Sequence, residues 1–247
     1  MKRITVIYYH SIVEPGKGRS YQCVERQKFE EQMRWLRDNH YQSLLLDDLD
    51  KPLPHKGVLV VFDDGFRSVY DTAAKIMNQY GIKGNVFVPT YYVEQCHPRF
   101  MTWDMIKELC ESQQFCVGAH THRHVDIRNL DQAGMREEIL LSSQLFEQHL
   151  GKKPKAFCMP YGKYDRRSIA RLQNCENYRW LYASYYGQLG KATRRSLIPR
   201  VGISNDDSMV VFEKKMLGKL NWKGPLQRLR LLVENAVGKR VEVYEIE

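Results

Sequence analysis

The sequence predicts a single α/β domain built on a parallel sheet. Short apolar segments rich in β-branched and aromatic residues alternate with segments of helical periodicity along most of the 247 residues. Such alternation is typical of βα units, whose strands lie parallel in one sheet. An incomplete or distorted (β/α) barrel and an open doubly wound sheet both fit this pattern. No Gly-rich loop follows the first strand, which argues against a dinucleotide-binding fold.

The individual elements are predicted from apolar spacing and from end signals. The predicted strands, short and nearly continuously apolar, are 4–9, 58–62, 84–88, 115–118 and 156–159, with weaker candidates at 43–46 and 179–183. The predicted helices, each with one apolar face, are 26–39, 69–80, 102–112, 135–150 and 165–173. Gly81 and Gly151 are natural stops, while Thr102 and Asp165 are suitable N-caps.

The composition limits the partners and the cellular compartment. A formal net charge of +9 favours acidic partners, such as anionic glycans, phospholipid-linked sugars or membrane surfaces, although a solvated basic surface explains it equally well. The sequence carries no zinc finger, aromatic RNA-binding motif or basic heptad helix, so we do not expect nucleic acid as a partner. Six cysteines without framework spacing predict free thiols. With no signal peptide or membrane-spanning run, we expect a cytoplasmic protein.

The first of three polar motifs follows the predicted strand 58–62. Asp63 and Asp64 precede Gly65, which permits a sharp turn. Two close carboxylates repel each other unless a cation or a proton separates them, so a metal bound by one would leave the other free as a base. Taken alone, such a triplet is also typical of a turn with capping acids.

The second motif places His120, His122 and His124 directly after the strand 115–118. One helical turn would bring His120 and His124 to the same side. Neutral imidazole is a good ligand for zinc and related ions. We predict that His122 points away and is not a ligand. In isolation the motif also fits a histidine-rich surface loop.

The third motif, Pro160-Tyr161-Gly162, follows the strand 156–159. Proline fixes one φ and glycine frees another, so the turn could aim a backbone N–H into a cavity. Each motif follows a strand, at the edge where βα folds build their sites. One carboxylate and two imidazoles leave an open metal position for water, as in catalytic zinc sites. Together the motifs predict a metal-dependent amide hydrolase.

The three motifs, in this order, resemble those of the polysaccharide deacetylase family, the NodB-homology domain of carbohydrate esterase family four. The matching segments are Asp63-Asp64-Gly65, His120-Thr121-x-x-His124 and Pro160-Tyr161-Gly162. The resemblance runs from about residue 4 to residue 202 and implies a distorted (β/α)7 barrel. The chain would then be one catalytic domain, with 203–247 as a C-terminal helical extension.

The resemblance also implies roles for individual residues. Asp64, His120 and His124 would bind a divalent metal, usually Zn²⁺, with Co²⁺ or Ni²⁺ as alternatives. Asp63 would act as the general base, and the backbone N–H of Tyr161 would stabilise the oxyanion. The residues that we expect at the substrate are Pro160, Tyr161 and Gly162.

Two departures from the family pattern concern the general base and the general acid. Many members carry an arginine where this chain has Cys158, so Asp63 must find another partner. The late histidine segment that usually supplies the acid has no counterpart, because the last histidine is His149. We assign the acid to His10, since the C-terminal ends of barrel strands converge on one mouth. A histidine packed beneath the His120 loop is the alternative.

The predicted activity is removal of acetate from N-acetylated sugars in a polysaccharide, oligosaccharide or glycan precursor. Hydrolysis of a non-sugar amide and an inactive glycan-binding module remain alternatives. Between residues 209 and 240, apolar and basic residues alternate, which could give weak peripheral contact with the inner face of an anionic membrane. Ordinary packing of a last helix against the barrel explains the same pattern.

Overall fold

Strands and helices alternate along the computed structural model, which describes residues 3–17, 20, 22–176, 178–190 and 197–241. The strands are β1 (Arg3–Tyr9), β2 (Ser11–Val13), β3 (Cys23–Glu25), β4 (Gln42–Ser43), β5 (Lys56–Phe62), β6 (Gly84–Val88), β7 (Phe115–Ala119), β8 (Ala156–Cys158), β9 (Trp180–Ala183), β10 (Ile198–Pro199) and β11 (Val201–Gly202). The α-helices are α1 (Arg26–Asp38), α2 (Ala74–Gln79), α3 (Thr90–Glu94), α4 (Trp103–Glu111), α5 (Gln132–Met135), α6 (Leu141–Leu150), α7 (Arg166–Cys175), α8 (Met209–Met216) and α9 (Lys223–Ala236).

Short turns of other helical types complete the set of elements. π-helical turns at Val69–Ala73 and Arg136–Leu140 lead into α2 and α6, and 3-10 turns span Leu46–Asp50, Ile127–Asn129 and Pro160–Gly162. Within the described residues, every helix is too short or too polar to cross a lipid bilayer.

The main sheet is parallel and nearly closes into a barrel. Its strand order is β10-β9-β8-β7-β6-β5-β1-β11, with β4 also beside β5. Only Arg200 separates β10 from β11, yet β10 pairs with β9 and β11 pairs with β1. This short stretch therefore joins the two ends of the sheet. When it is counted as one strand, seven strands form the barrel, which confirms the predicted distorted (β/α)7 fold and excludes the open sheet.

Most predicted elements are confirmed to within a few residues. The five stronger strand predictions correspond to β1, β5, β6, β7 and β8, and the weaker one at 179–183 to β9. The prediction at 43–46 is only partly right, because the side chain of Asp48 accepts a hydrogen bond from the backbone N–H of Leu45 and starts a 3-10 turn. The hydroxyl of Thr102 and the carboxylate of Asp165 cap α4 and α7 as predicted.

The two faces of the barrel strands pack into different clusters. Val6 and Leu59 belong to a cluster of mostly strand residues that fills the barrel, while Ile7 and Val60 pack with the helices outside. This alternation follows from the period of two residues in a strand. Each large side chain that is fully buried in this way stabilises the folded state by about 1.5–3 kcal/mol relative to an exposed side chain. The filled interior leaves the carboxyl ends of the strands as the place for a polar cavity.

Candidate active site

The residues of the three predicted motifs meet at the carboxyl ends of β1, β5, β7 and β8. One cavity of about 300 Å³ is bordered by members of each motif, namely Asp63, His120, His124, Tyr161 and Gly162. The wall residues that matter for its chemistry are His10, Asp63, His120, His124, Tyr161 and Arg200. Segments that are far apart in sequence thus contribute to one site at the mouth of the barrel, as parallel strand ends do.

A sharp turn after β5 brings both carboxylates of the first motif toward the cavity. Asp64 and Gly65 both have a left-handed backbone, with φ of 69° and 67°. Aspartate is one of the few residues that tolerate this conformation. The turn is held by hydrogen bonds from the backbone N–H of Asp63 to the Tyr9 carbonyl and from Met101 N–H to the Gly65 carbonyl. The regular alternation of a strand is therefore broken where the two acids lie.

The carboxylate of Asp64 faces two imidazoles at distances that suit a shared metal ion. Its Oδ1 lies 3.5 Å from Nε2 of His120 and 3.3 Å from Nε2 of His124. Ligand atoms of the three side chains all lie within 4.8 Å of one another, and all three residues are buried. Two ligands bound about 2.1 Å from a tetrahedral zinc ion would be about 3.4 Å apart. The observed spacing matches this geometry.

The hydrogen bonds around these three residues also favour a cation. Nδ1 of His120 lies 2.8 Å from the backbone carbonyl of Cys158, so it donates there and leaves Nε2 free to act as a ligand. Oδ1 of Asp64 accepts no hydrogen bond within the described part of the chain, although it is buried. A buried carboxylate oxygen without a partner is costly. These donor atoms therefore fit a divalent metal ion.

The protonation states of Asp64 and His124 suit a metal site. For His120, burial lowers the pKa, but the neighbouring Cys158 and Asp64 raise it well above its ordinary value. Burial lowers the pKa of His124 to about 4, so this imidazole is neutral near pH 7 and can act as a ligand. Burial by itself opposes ionisation of Asp64, but the neighbouring His124 and His120 hold the pKa of this carboxyl well below its usual range. At neutral pH the cluster therefore presents a carboxylate and an imidazole in the forms that bind metal.

A second group, formed by Asp63, His120 and Cys158, also has the spacing of metal ligands. Burial raises the pKa of the Cys158 thiol, so it is protonated at neutral pH, whereas the thiolate is the form that binds metal. Asp63 already has a cationic partner, because Nη1 of Arg200 donates to its Oδ1 over 2.6 Å. The set of Asp64, His120 and His124 is therefore the better metal site.

The loop that carries the histidines is not helical, so the predicted helical turn is wrong. Thr121 and His124 adopt left-handed backbones with φ of 63° and 58°. The carboxylate of Glu138 accepts hydrogen bonds from the backbone N–H groups of His122 and Arg123, which replaces the carbonyl partners of a helix. Nδ1 of His122 lies 2.8 Å from the Thr90 hydroxyl, away from Asp64. His120 and His124 converge through this irregular loop instead.

Arg200 is the site residue that the sequence did not reveal. It lies between β10 and β11, is buried, and donates through Nη2 to the Ser184 hydroxyl as well as through Nη1 to Asp63. Its guanidinium carbon lies 4.4 Å from the centroid of the Tyr8 ring. The arginine missing at Cys158 is thus replaced by one from the closing strand. Cys158 indicated that the usual arginine partner of Asp63 was absent from its usual position. No sequence motif indicated which residue would replace it.

Of the remaining predicted residues, His10, Tyr161 and Gly162 lie on the wall of the cavity, whereas Pro160 is buried and does not line it. His10 follows β1, is half-buried, and contacts the Tyr8 ring edge-on. Tyr161 has a φ of 58°, and its ring centroid lies 4.6 Å from that of His124. Gly162 is needed for space, because a Cβ there would lie 2.5 Å from the Cβ of Ser184. The Pro160–Gly162 turn thus packs closely against the end of β9.

Comparisons with known proteins identify relatives of this chain and agree with its fold. The family model described as polysaccharide deacetylase matches residues 50–180. YxkH of Bacillus subtilis (strain 168), named for the same family, is 28% identical over 173 residues, which cover 68% of this chain and 60% of that protein. The poly-beta-1,6-N-acetyl-D-glucosamine N-deacetylase of Escherichia coli (strain K12) is 24% identical over an aligned length of 258 residues. This match covers 85% of this chain and 38% of that protein.

A solved structure supports the fold independently. The Streptococcus pyogenes deacetylase PplD, in complex with acetate, superposes with a TM-score of 0.78 at 20% sequence identity, over 87% of this chain and 98% of that one. At this identity the likeness shows the fold alone. The matches to the two curated relatives span less than two thirds of the length of those proteins.

Proposed function

Because this chain belongs to the polysaccharide deacetylase family, we propose that it hydrolyses the acetamide of an N-acetylated sugar in a glycan and releases acetate. Membership supports the assignment of a hydrolase that acts on carbon–nitrogen bonds in linear amides. The observation that carries the proposal is the buried cluster of Asp64, His120 and His124, whose two histidines line one cavity together with Asp63. The name of the Escherichia coli relative supports an N-acetylglucosamine polymer as the substrate class.

The chemistry can be assigned to this chain's own side chains. Asp64, His120 and His124 would hold a divalent ion, most simply Zn²⁺ with Co²⁺ or Ni²⁺ as alternatives, which supplies Lewis-acid polarisation of the acetamide and acidification of water. The carboxylate of Asp63 takes a proton from the attacking water. Arg200 gives that carboxylate a cationic partner and fixes its direction through the 2.6 Å hydrogen bond.

The later proton transfer and the stabilisation of the oxyanion involve two other residues of the same cavity, His10 and Tyr161. His10, when protonated, donates to the nitrogen of the leaving amine. The backbone N–H of Tyr161 stabilises the charge that develops on the carbonyl oxygen. The position of His10 on the wall shared with Asp63 and His124 supports its role. His10→Ala should lower kcat by about 10²-fold or more while the bound metal is unchanged, and full turnover would remove the assignment.

A panel of substrates tests the proposed function. Metal-loaded protein should release acetate from tri-N-acetylchitotriose and from poly-beta-1,6-N-acetylglucosamine, and chelation should stop the reaction. Release from simple acetanilides but from no sugar would favour the alternative of a non-sugar amide hydrolase. Binding of the glycans without acetate release, in protein shown to contain metal, would favour an inactive glycan-binding module.

We also propose a weak peripheral contact between α9 and an anionic membrane surface, and a cytoplasmic location consistent with it. Trp222, Leu226 and Leu229 are 63%, 58% and 58% exposed. With Val233 and Val237 they form an exposed apolar stripe with a helical spacing. Lys223 and Arg230 give this helix a basic character that complements anionic lipids. Co-sedimentation with phosphatidylglycerol vesicles, lost in the Leu226→Ser/Leu229→Ser variant, would support the contact, and no sedimentation of the parent protein would contradict it.

A further inference from the structure

A second cavity of about 230 Å³ lies directly beside the catalytic cavity. The residues that line both cavities are Tyr161, Gly162, Ser184 and Gln227. Because these residues border both spaces, the two cavities are direct neighbours. A glycan whose acetamide lies at Asp63 would therefore place a neighbouring unit or substituent in the second cavity.

The walls of the second cavity are strongly cationic. Lys163, Arg228 and Arg230 line it, and no carboxylate lines it within the described residues. Lys163 follows the Pro160–Gly162 turn, while Arg228 and Arg230 belong to α9. The cations thus come from two segments that converge on one space, which distinguishes this group from charges scattered over a surface. We call these three residues the cationic subsite.

The positive charge of the subsite is only partly neutralised. Lys163 Nζ and Arg230 Nε both bind the carboxylate of Glu234, the latter at 3.0 Å. Arg228 has a different environment, because its guanidinium carbon lies 5.6 Å from the centroid of the Tyr185 ring. No carboxylate among the described residues is within ion-pair distance of Arg228, which leaves three cations and one anion at this place.

Two tyrosines complete the wall without adding negative charge. Burial raises the pKa of Tyr185 to about 12, and it also raises the pKa of Tyr164. Both phenols are therefore neutral near pH 7. Tyrosine rings offer an apolar face for a sugar ring and a hydroxyl for its polar edge. The cavity thus combines surfaces for a sugar ring with cations for an anionic group.

From this arrangement we infer that the cationic subsite binds an anionic substituent, a phosphate or a carboxylate, that the glycan carries next to the N-acetylated unit. Arg228 is the main contact, since its planar fork matches both anions and no carboxylate of the described ranges pairs with it. The inference rests on the proposed function, because the adjacent acetamide site defines which part of the glycan enters the subsite.

Matched substrates test this inference. The probes are di-N-acetylchitobiose, di-N-acetylchitobiose 1-phosphate, and a disaccharide of N-acetylglucosamine and glucuronic acid. We expect kcat/KM to be about tenfold higher for at least one anionic probe than for the neutral one, the effect of one charged hydrogen-bond pair. The comparison of phosphate with glucuronate shows which anion the subsite prefers.

The variants Arg228→Gln and Arg34→Gln separate a local contact from a general charge effect. Both remove one positive charge, but Arg34 lies exposed on α1 and pairs with Glu30. Arg228→Gln should bring the ratio of anionic to neutral kcat/KM close to one, whatever its effect on the neutral probe. Arg34→Gln should keep the ratio of the parent protein. An equal preference in the parent protein for all probes, or an unchanged ratio in Arg228→Gln, would overturn the inference.

Binding measurements keep the inference testable if no probe is hydrolysed. In that case the proposed function fails, but calorimetry can still compare the affinities of the three disaccharides. Tighter binding of an anionic probe by the parent protein than by Arg228→Gln would support the subsite alone. Equal affinities in the two proteins would contradict it.

Discussion

Arg200 donates a hydrogen bond to Asp63 over 2.6 Å, with both side chains almost completely excluded from solvent. Arg200 is also the residue that separates β10 from β11, where the sheet closes on itself. The carboxylate that we propose as the general base is therefore bound to the residue at which the barrel closes. We therefore expect the activity of the site and the stability of the sheet to depend on the same ion pair.

Removal of Arg200 should destabilise the protein strongly. In Arg200→Gln the Asp63 carboxylate stays buried without its cation, and loss of one partner of a buried pair costs about 3–5 kcal/mol. The free energy of unfolding is measured in urea. Arg179→Gln is the control, because its pair with Asp50 has the same 2.6 Å length but is half-exposed and should contribute at most about 1 kcal/mol. Equal losses in the two variants would contradict the interpretation.

The two histidines that flank Arg123 should differ in their effect on bound metal. His124→Ala should lose most of its metal, because one of three ligands is removed. His122→Ala should keep it, since its ring bonds to the Thr90 hydroxyl outside the cluster. The metal content per folded chain is measured by mass spectrometry after purification in zinc-containing buffer. Loss of metal in the His122 variant alone would place the ligands elsewhere in the loop.

The sequence predicted the barrel and most of the site, and the exceptions have physical causes. Periodicity and end signals located β1, β5, β6, β7 and β8 because these strands are continuous and apolar. The strands β10 and β11 have two residues each, too few for any periodicity.

Two features of the site also could not be predicted from the local sequence. Arg200 escaped prediction because its role arises from the closure of the sheet, which is a contact between distant segments. The shape of the histidine loop escaped prediction for a similar reason. The carboxylate of Glu138, in the π-helical turn before α6, accepts hydrogen bonds from the loop amides. This contact joins two separate segments, so no local sequence pattern encodes it.

Two left-handed glycines should respond differently to alanine. Gly151→Ala should cost about 1 kcal/mol, because the position has open space and only the backbone is strained. Gly162→Ala adds a clash with Ser184, the hydroxyl of which accepts from Arg200. It should therefore cost more stability and also lower acetate release. Thermal unfolding and turnover of both variants check this, and equal behaviour would show that the contact with Ser184 has no role.

The ion pairs of Glu234 should make α9 sensitive to acid. The hydrogen bond from Lys163 is the largest of the effects that lower the pKa of Glu234 in the folded protein. The contribution of the ionised Glu234 carboxylate to the free energy of unfolding is complete above its unfolded pKa of about 4.3. This contribution is lost as the pH falls through the lower pKa that Glu234 has in the folded protein. The difference in urea midpoint between the parent protein and Glu234→Gln should therefore shrink as the pH falls below about 4. A difference that grows on acidification would contradict the assignment.

The most direct test of the central claim is a paired measurement of bound metal and acetate release in the parent protein and in Asp63→Asn. The parent protein should contain about one divalent ion per chain and release acetate from N-acetylglucosamine oligomers. Asp63→Asn should keep the metal, held by Asp64, His120 and His124, and lose about 10²–10⁴-fold in kcat with the base removed. A variant that deacetylates as fast as the parent, or a parent protein that is active without metal, would contradict the account.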